Sequence, residues 1–384
     1  MHTELESSQE CQPVIQGQKL PLLPISEVSL PGGKKMKVLK TMLTSACERN
    51  CNYCVFRAGR NMRRQTFKPE ELANTFLKVF ISGEVEGLFL SSGIIKGGVQ
   101  TQDRLIDTAD ILRNKLGYRG YIHLKLMPGL EKDQLRRSMQ LANRVSSNLE
   151  AANENRLPYL APMKSFKEEL LTPLKWAQAI RENENPRSTW NGRWASSITQ
   201  FVVGPSGEND LELISTSEYL YKKLGLSRAY YSGFIPMQDT PFENMPRTNP
   251  IRQNRLYQSS FLLRDYGFSL EDMPFANNGK LPLNVDPKTA WAQQNLLHSP
   301  IEINTATKEQ LLQIPGVGPE SISKIIHARK LSPINSINQL KQIGIVTTRM
   351  QPYILLNGHQ PAYQSELFSL QDPISLAPQS SFPG

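Results

Sequence analysis

The chain has 384 residues, 39% of them hydrophobic and 21% charged, and carries a net charge of +9. This balance is ordinary for a soluble globular protein and excludes a wholly disordered chain, and the length allows a sizeable core and two or three domains. No apolar run approaches the ~18 residues of a membrane span, and residues 1–10 hold three glutamates and no apolar stretch, so no secretory signal is read there and a cytoplasmic protein is expected.

In chain order, residues 1–35 are polar and proline-containing without a sustained period, and are read as an N-terminal arm. Residues 34–68 hold ten Lys or Arg and one acid, Glu48. A stretch of this kind is either a surface that attracts polyanions or a solvated basic face. From 36 to 236, short apolar strands alternate with helical patterns. The strands are expected at 37–44, 87–92, 121–127, 144–150, 198–204 and 228–236, mixed in pattern as strands covered on both faces are. Leu72, Phe76, Val79 and Phe80 keep helical spacing, as do Leu105, Ala109, Leu112 and Leu116, and then Leu213, Tyr219, Leu220 and Leu224. Six β–α units in succession imply a parallel α/β sheet. Six is too few to close an eight-stranded barrel, so a partial barrel or an open sheet is expected, with ligands at the carboxyl ends of the strands. Residues 237–298, rich in Pro, Asn and Gln with one helix near 251–266, read as a connector packed on that core. Residues 299–357 read as a small all-α domain and 358–384 as a disordered tail.

Three of the four cysteines, Cys47, Cys51 and Cys54, fall within the segment TSACERNCNYC at 44–54. A disulfide framework spreads its cysteines along a short secreted chain, whereas this spacing points to metal ligation in a reducing compartment. Structural zinc takes four closed ligands, usually as two separated pairs. Here no second pair exists, no histidine lies near the loop, and Cys11 is 36 residues upstream of Cys47. Three thiolates on one loop suit three irons of a 4Fe–4S cluster and leave the fourth iron open. The segment, placed directly after the first strand, resembles the signature of the radical S-adenosylmethionine (SAM) enzymes.

That resemblance implies a partial (β/α)6 TIM-type barrel in which Cys47, Cys51 and Cys54 hold the 4Fe–4S cluster, SAM chelates the open iron and Tyr53 packs on the adenine. It implies further SAM contacts from Ser91, Ser92 and Gly93, where the family has Gly-Gly-Glu, from Asn148 and Glu150, and from Val203 and Gly204 in VGPSGE at 203–208. The implied activity is reductive cleavage of SAM to a 5′-deoxyadenosyl radical, fed by an electron donor, with the protein supplying orientation and exclusion of water. Other readings stand beside these. Glu150 also reads as a solvated strand-end acid and Glu208 as the start of a helix. Tyr230 and Tyr231 either line the pocket or pack in the core, and His123 and Lys125 alternate on their strand so that they point inward, or His123 is simply satisfied in the core.

In IEINTATKEQLLQIPGVGPESISKIIHARK at 301–330, Asn304 or Thr305 caps a helix running to Leu312, IPGVG turns tightly, and Pro319 opens a helix with Ile322, Ile325 and Ile326 on one face. Two glycines allow close backbone approach, and the helix N-terminus beyond them aims N–H groups at an anion. The segment resembles a helix-hairpin-helix motif, which grips the DNA backbone without reading sequence. Gly316, Val317, Gly318, Lys324 and Arg329 are the implied DNA contacts, in a stretch, 299–357, with six basic and three acidic residues. A degenerate second copy is read at 340–354, and a hairpin used only for packing is the alternative.

YRGYIHLK (118–125), YSGFIP (231–236), RLY (255–257), LRDYGF (263–268), DPK (286–288) and Trp291 extend the match. Over roughly residues 36–355 the chain resembles the DNA modification/repair radical SAM proteins. This implies an enzyme acting on DNA without sequence specificity, beside a partner resembling uracil-DNA glycosylases, and names no substrate. Two alternatives remain: a radical SAM enzyme modifying RNA or a nucleotide, and a non-enzymatic DNA-binding protein with a structural iron–sulfur cluster.

Overall fold

The computed structural model describes residues 24–29 and 35–363. Cys11, most of the expected arm and the tail beyond 363 lie outside the described residues. Seven strands, Ile25–Ser29 (β1), Lys35–Met42 (β2), Gly87–Ser91 (β3), Tyr121–Lys125 (β4), Arg144–Ser146 (β5), Ser196–Val203 (β6) and Arg228–Gly233 (β7), form one sheet in chain order. β2 to β7 are parallel throughout, as the six expected units require. β1 was not expected. It lies inside the segment read as an arm and pairs antiparallel with β2, Ile25 opposite Leu39. Its five residues are too few to show a period, and the pairing is supplied by β2.

Helices Pro69–Ile81 (α1), Gly97–Asp110 (α2), Lys132–Leu141 (α3), Leu157–Leu160 (α4), Thr172–Asn183 (α5) and Asp210–Leu224 (α6) fill the crossovers, and Pro250–Asp265 (α7) packs on β7 and α6. Local chemistry sets their ends. At α6, Asn209 Oδ1 accepts from Glu212 N and Glu212 Oε2 accepts from Asn209 N, both at 2.9 Å, and Gly225 stops the helix at φ +54°.

Alternation along the strands sorts two faces. Leu88, Leu90, Ile122, Leu124 and Val145 are fully buried against Phe76, Leu105, Leu135 and Met139 of the helices, each contributing on the order of 2 kcal/mol. The intervening residues, among them Phe89, His123, Lys125 and Arg144, line a cavity instead. The cavity wall runs from Val38 on β2 to Tyr230 on β7, so the sheet curls into an open half-barrel, and β1 and β7 do not pair with each other. A polar cavity-facing set between apolar core-facing neighbours is the cause of the mixed strand pattern.

The chain divides into two compact units, Met1–Pro287 and Lys288–Gly384. The divide precedes the expected 298/299 boundary because an unexpected helix, Pro287–Asn295 (α8), ties into the second unit: Lys288 Nζ donates to the Val317 carbonyl at 2.6 Å and Arg349 Nη2 to Thr289 Oγ1 at 2.7 Å. Helices Lys308–Gln313 (α9), Pro319–Leu331 (α10) and Ile337–Gln342 (α11) follow. Among the described residues of this unit the strands are Ile301–Glu302 (β8) and Ile354–Leu355 (β9), which pair parallel. Thr307, not Asn304 or Thr305, caps α9, its Oγ1 accepting from Gln310 N at 3.2 Å. Asn304 instead accepts from Ile334 N at 2.8 Å and donates to its carbonyl at 3.0 Å. In the second glycine segment Gly344 takes φ +78° after α11, and a single 3-10 turn, Gln351–Tyr353, follows. No described helix is long and apolar enough to cross a membrane.

Candidate active site

β2 ends at Met42, and the cysteines sit on the irregular loop that leaves it, at the carboxyl ends of the strands. Thr44 and Thr66 close the base of this loop through their hydroxyls at 2.6 Å. Arginines hold its interior. Arg64 donates to the carbonyls of Ser45, Phe56 and Arg57 at 2.6, 2.8 and 2.8 Å. Arg57 donates to Asn50 O at 3.2 Å and Arg60 to Val55 O at 2.9 Å. Arg49 pairs with Glu169 at 2.7 Å and also donates to the Met163 carbonyl. Much of the basic stretch is therefore internal bracing rather than an open polyanion surface, because a loop without regular structure leaves carbonyls that need donors.

Cys51 is buried, Cys47 and Cys54 are half-buried, and all three line the cavity. Backbone amides reach two sulfurs: Ile94 N donates to Cys47 Sγ and Phe56 N to Cys54 Sγ, both at 3.4 Å. Burial raises the Cys51 thiol. Burial, and then the charge of Cys51, pushes Cys54 up to about 12, while Lys164 acts to lower both. Three thiolates facing one space need cations among them. Among the described residues no three His, Cys, Asp or Glu groups gather around one ion; a cluster takes each thiolate on a separate iron. Thiol set, sulfur-directed amides and shared cavity fit a cluster held by Cys47, Cys51 and Cys54.

Six of the eight residues expected around SAM line the same cavity: Tyr53, Ser91, Ser92, Gly93, Asn148 and Glu150. A methyl group on Gly93 would overlap the Ala46 carbonyl, so glycine is what lets the segment after β3 lie against the cysteine loop. Ser92 Oγ is buried with no partner. Glu150 is buried at φ +63°, a strained position for a residue with a side chain. Its Oε1 accepts from Lys164 Nζ at 2.9 Å and its Oε2 has no partner. Burial, then the Glu150 charge, lifts the Tyr53 phenol well above its ordinary value. Against the cost of burial, the charges of Cys51 and Glu150 raise Lys164. Two unsatisfied polar atoms facing a cavity of about 530 Å³ fit a polar small-molecule cofactor.

Val203 and Gly204 are not on the cavity wall. On β6 the inward positions are Ile198, Gln200 and Val202, so Val203 points away; its carbonyl accepts from Thr248 Oγ1 at 2.5 Å. Gly204 N donates to Glu208 Oε1 at 2.6 Å, and Glu208, also accepting from Ser206 Oγ at 2.7 Å, braces this turn rather than starting α6. The period of two along β6 carried that signal. His123 and Lys125 do face the cavity, His123 Nε2 lying 2.9 Å from Ser146 Oγ. Tyr230 lines it too, whereas Tyr231 is buried in the core with its hydroxyl 2.6 Å from Ser217. Lys164, Lys40 and Arg144 belong to the wall and were not singled out: Lys164 lies in a loop with no motif around it.

In the second unit, Gly316 takes φ +82°, Val317 is fully buried, and Gly318 precedes Pro319 at the start of α10. Lys324 is exposed on α10. Arg329 gives its Nη1 to the carbonyls of Ile303 and Ala306, both at 2.8 Å, and so anchors α10 to the β8–α9 segment.

A family model described as "Helix-hairpin-helix motif" matches residues 298–348. No curated protein matches the chain. Among solved structures, methylornithine synthase (PylB) is similar at TM-score 0.46 and 16% identity, covering 59% of this chain and 61% of that one. The FeFe-hydrogenase maturase HydG from Carboxydothermus hydrogenoformans is similar at 0.46 and 17%, over 59% and 51%. A radical SAM methyltransferase from Sphaerobacter thermophilus is similar at 0.44 and 14%, over 64% and 76%. The chain thus spans less than two thirds of the first two. At such scores it is the cavity and its residues, not the superpositions, that carry the functional conclusion. Fold and site define a partial α/β barrel with a three-thiol mouth, on a chain that also carries a helix-hairpin-helix motif.

Proposed function

We propose that this chain is a radical SAM enzyme that modifies or repairs DNA. The observation that carries the reading is the convergence of Cys47, Cys51 and Cys54 with Tyr53, Ser92 and Glu150 on one cavity at the carboxyl ends of a parallel half-barrel. Bound there, a 4Fe–4S cluster and SAM supply reductive cleavage of the sulfonium and a 5′-deoxyadenosyl radical. The chain's own residues do the rest. Arg49, Arg57, Arg60 and Arg64 hold the thiol-bearing loop in one shape. Lys164 and the amides of Ile94 and Phe56 offset thiolate charge. Glu150 Oε2 and Ser92 Oγ are hydrogen-bonding partners for the polar groups of SAM, and Tyr53 is the surface for its adenine.

DNA enters the proposal through the hairpin, where Gly316 and Gly318 let backbone approach a phosphate and Lys324 adds a charge. An electron donor is a required partner. The resemblance over roughly residues 36–355 adds a uracil-DNA-glycosylase-like partner, and the cysteine spacing adds a reducing setting. The test is anaerobic: load the protein with iron and sulfide, add SAM and a strong reductant, and quantify 5′-deoxyadenosine with and without DNA. Formation that rises with DNA is expected. None from a protein of verified cluster content overturns the enzyme reading in favour of a structural cluster, and a rise with RNA alone moves the substrate to RNA.

A further inference from the structure

Lys164 lies on the segment between α4 and α5, and this segment is docked on the cysteine loop to either side of it. Before Lys164, Asn52 N donates to the Leu160 carbonyl at 2.7 Å and Asn52 Nδ2 to the Tyr159 carbonyl at 2.8 Å. Next to it, Arg49 donates to the Met163 carbonyl. After it, Glu169 accepts from Arg49 at 2.7 Å through one oxygen and from Ser165 N at 2.8 Å through the other. Arg49 and Asn52 stand on either side of Cys51 in the chain, so these bonds fix the Lys164 backbone beside that thiol.

The side chain turns inward. It is 10% exposed, and its Nζ lies 2.9 Å from Oε1 of Glu150, whose own side chain is 6% exposed. Both residues line the cavity with Cys47, Cys51 and Cys54. The loop arginines hold carbonyls, whereas Lys164 Nζ makes this one hydrogen bond among the described residues, so bracing is not its role. The pair is neutral as a whole, and what the thiols meet is its orientation. Burial raises the Cys51 thiol most; of the pair's two charges, that of Lys164, which lowers it, outweighs that of Glu150, which raises it. The ammonium is therefore the end nearer the thiols, with its counter-charge set behind it.

We infer that Lys164, oriented by Glu150, sets the reduction potential of the cluster held by Cys47, Cys51 and Cys54. This rests on the reading of the three thiols as cluster ligands, and deepens it by naming the residue pair that governs electron entry. Reduction at this place takes one electron from an external low-potential donor and adds one negative charge among the thiolates, with no bond made or broken. A buried cation beside them favours the more negative state, and the acid behind it opposes that effect. Charges this far from solvent are screened little by salt, so a single side chain can dominate.

The test uses the full chain, loaded anaerobically with iron and sulfide and titrated with titanium(III) citrate, which is oxidised to titanium(IV), in the presence of redox mediators. Electron paramagnetic resonance reads the reduced fraction, and iron and sulfide analysis reads the cluster content of each variant. SAM is left out, so a lost contact to that molecule cannot produce the result. At a fixed solution potential, Lys164→Gln should lower the ratio of reduced to oxidised cluster about tenfold or more, a fall in midpoint of about 59 mV or more for one electron. Glu150→Gln should raise the ratio, and Lys164→Arg, which keeps the charge, should stay within about threefold of wild type. If Lys164→Gln takes up no cluster, Glu150→Gln decides. A ratio that is unchanged, or moves the other way, in either loaded glutamine variant overturns the inference. The failure of the wider reading looks different. A wild-type protein that takes up no cluster defeats both, and one that takes it up but forms no 5′-deoxyadenosine from SAM defeats the enzyme reading alone.

Discussion

Cys51 is the most buried of the three thiols and lies between the other two in the chain. With three ligands on one loop, Cys51→Ala should abolish iron and sulfide incorporation, while Cys11→Ala should leave both unchanged; equal loss from the two variants would sink the three-ligand assignment. His123 makes a prediction of a different kind. In the unfolded chain its imidazole takes a proton near pH 6.5, whereas in the fold burial and the facing Arg144, Lys125 and Lys40 keep it neutral. The unfolded state therefore binds more protons below that pH, and its stabilising contribution is full above about 6.5 and lost as pH falls, by up to ~1.4 kcal/mol per unit. Urea unfolding between pH 7 and 5 should show a shallower loss in His123→Asn than in wild type. Parallel slopes would mean that the ring is charged in the fold. His123 was visible from strand alternation, but the residues that neutralise it come from β2 and β5, and their alignment is a matter of register.

At the scale of the element, the cysteine loop forms no helix or strand of its own and depends on Arg64, whose guanidinium gathers four carbonyls. A hydrogen bond to a charged group contributes roughly 1.5–3 kcal/mol net to stability. Arg64→Met should cost about 3 kcal/mol in urea unfolding and reduce iron loading, whereas Arg63→Met, at an exposed neighbour, should do neither. Equal effects would show that net charge, not bracing, matters here. A count of charges along the sequence registers both arginines alike. Only the folded loop distinguishes a side chain turned inward onto carbonyls from one in water. The same limit explains α9, where the sequence offered Asn304 or Thr305 and the tertiary bond of Asn304 to Ile334 goes with a cap at Thr307 instead.

For the whole molecule, a charge of +9 predicts association with polyanions whose strength falls with salt. If the hairpin is the DNA contact, Lys324→Gln should weaken binding evenly across DNA sequences and lower the slope of log affinity against log salt by about one. Gly316→Val, at φ +82°, should weaken it further. Titrations at several salt concentrations decide this. An unchanged slope in Lys324→Gln would remove that residue from the interface, and Arg329 is no substitute, because two carbonyls hold its Nη1.

By itself, the sequence determined what local chemistry dictates: six parallel strands and their helices, from hydrophobic period; the thiol triplet and its place after the first of those strands, from spacing; and the hairpin, from two glycines ahead of a proline. Contacts between distant segments were decided only in three dimensions. The edge strand β1 exists because β2 offers it a partner. Val202 rather than Val203 reaches the cavity because the pleat of β6 sets that parity. Lys164 meets Glu150 and Cys51 because two loops close over the same barrel mouth, and Lys40, Lys125 and Arg144 share one wall because parallel register aligns strands that lie far apart in the chain. Period and spacing are properties of neighbours along the chain; charge convergence is a property of neighbours in space, and packing alone creates it.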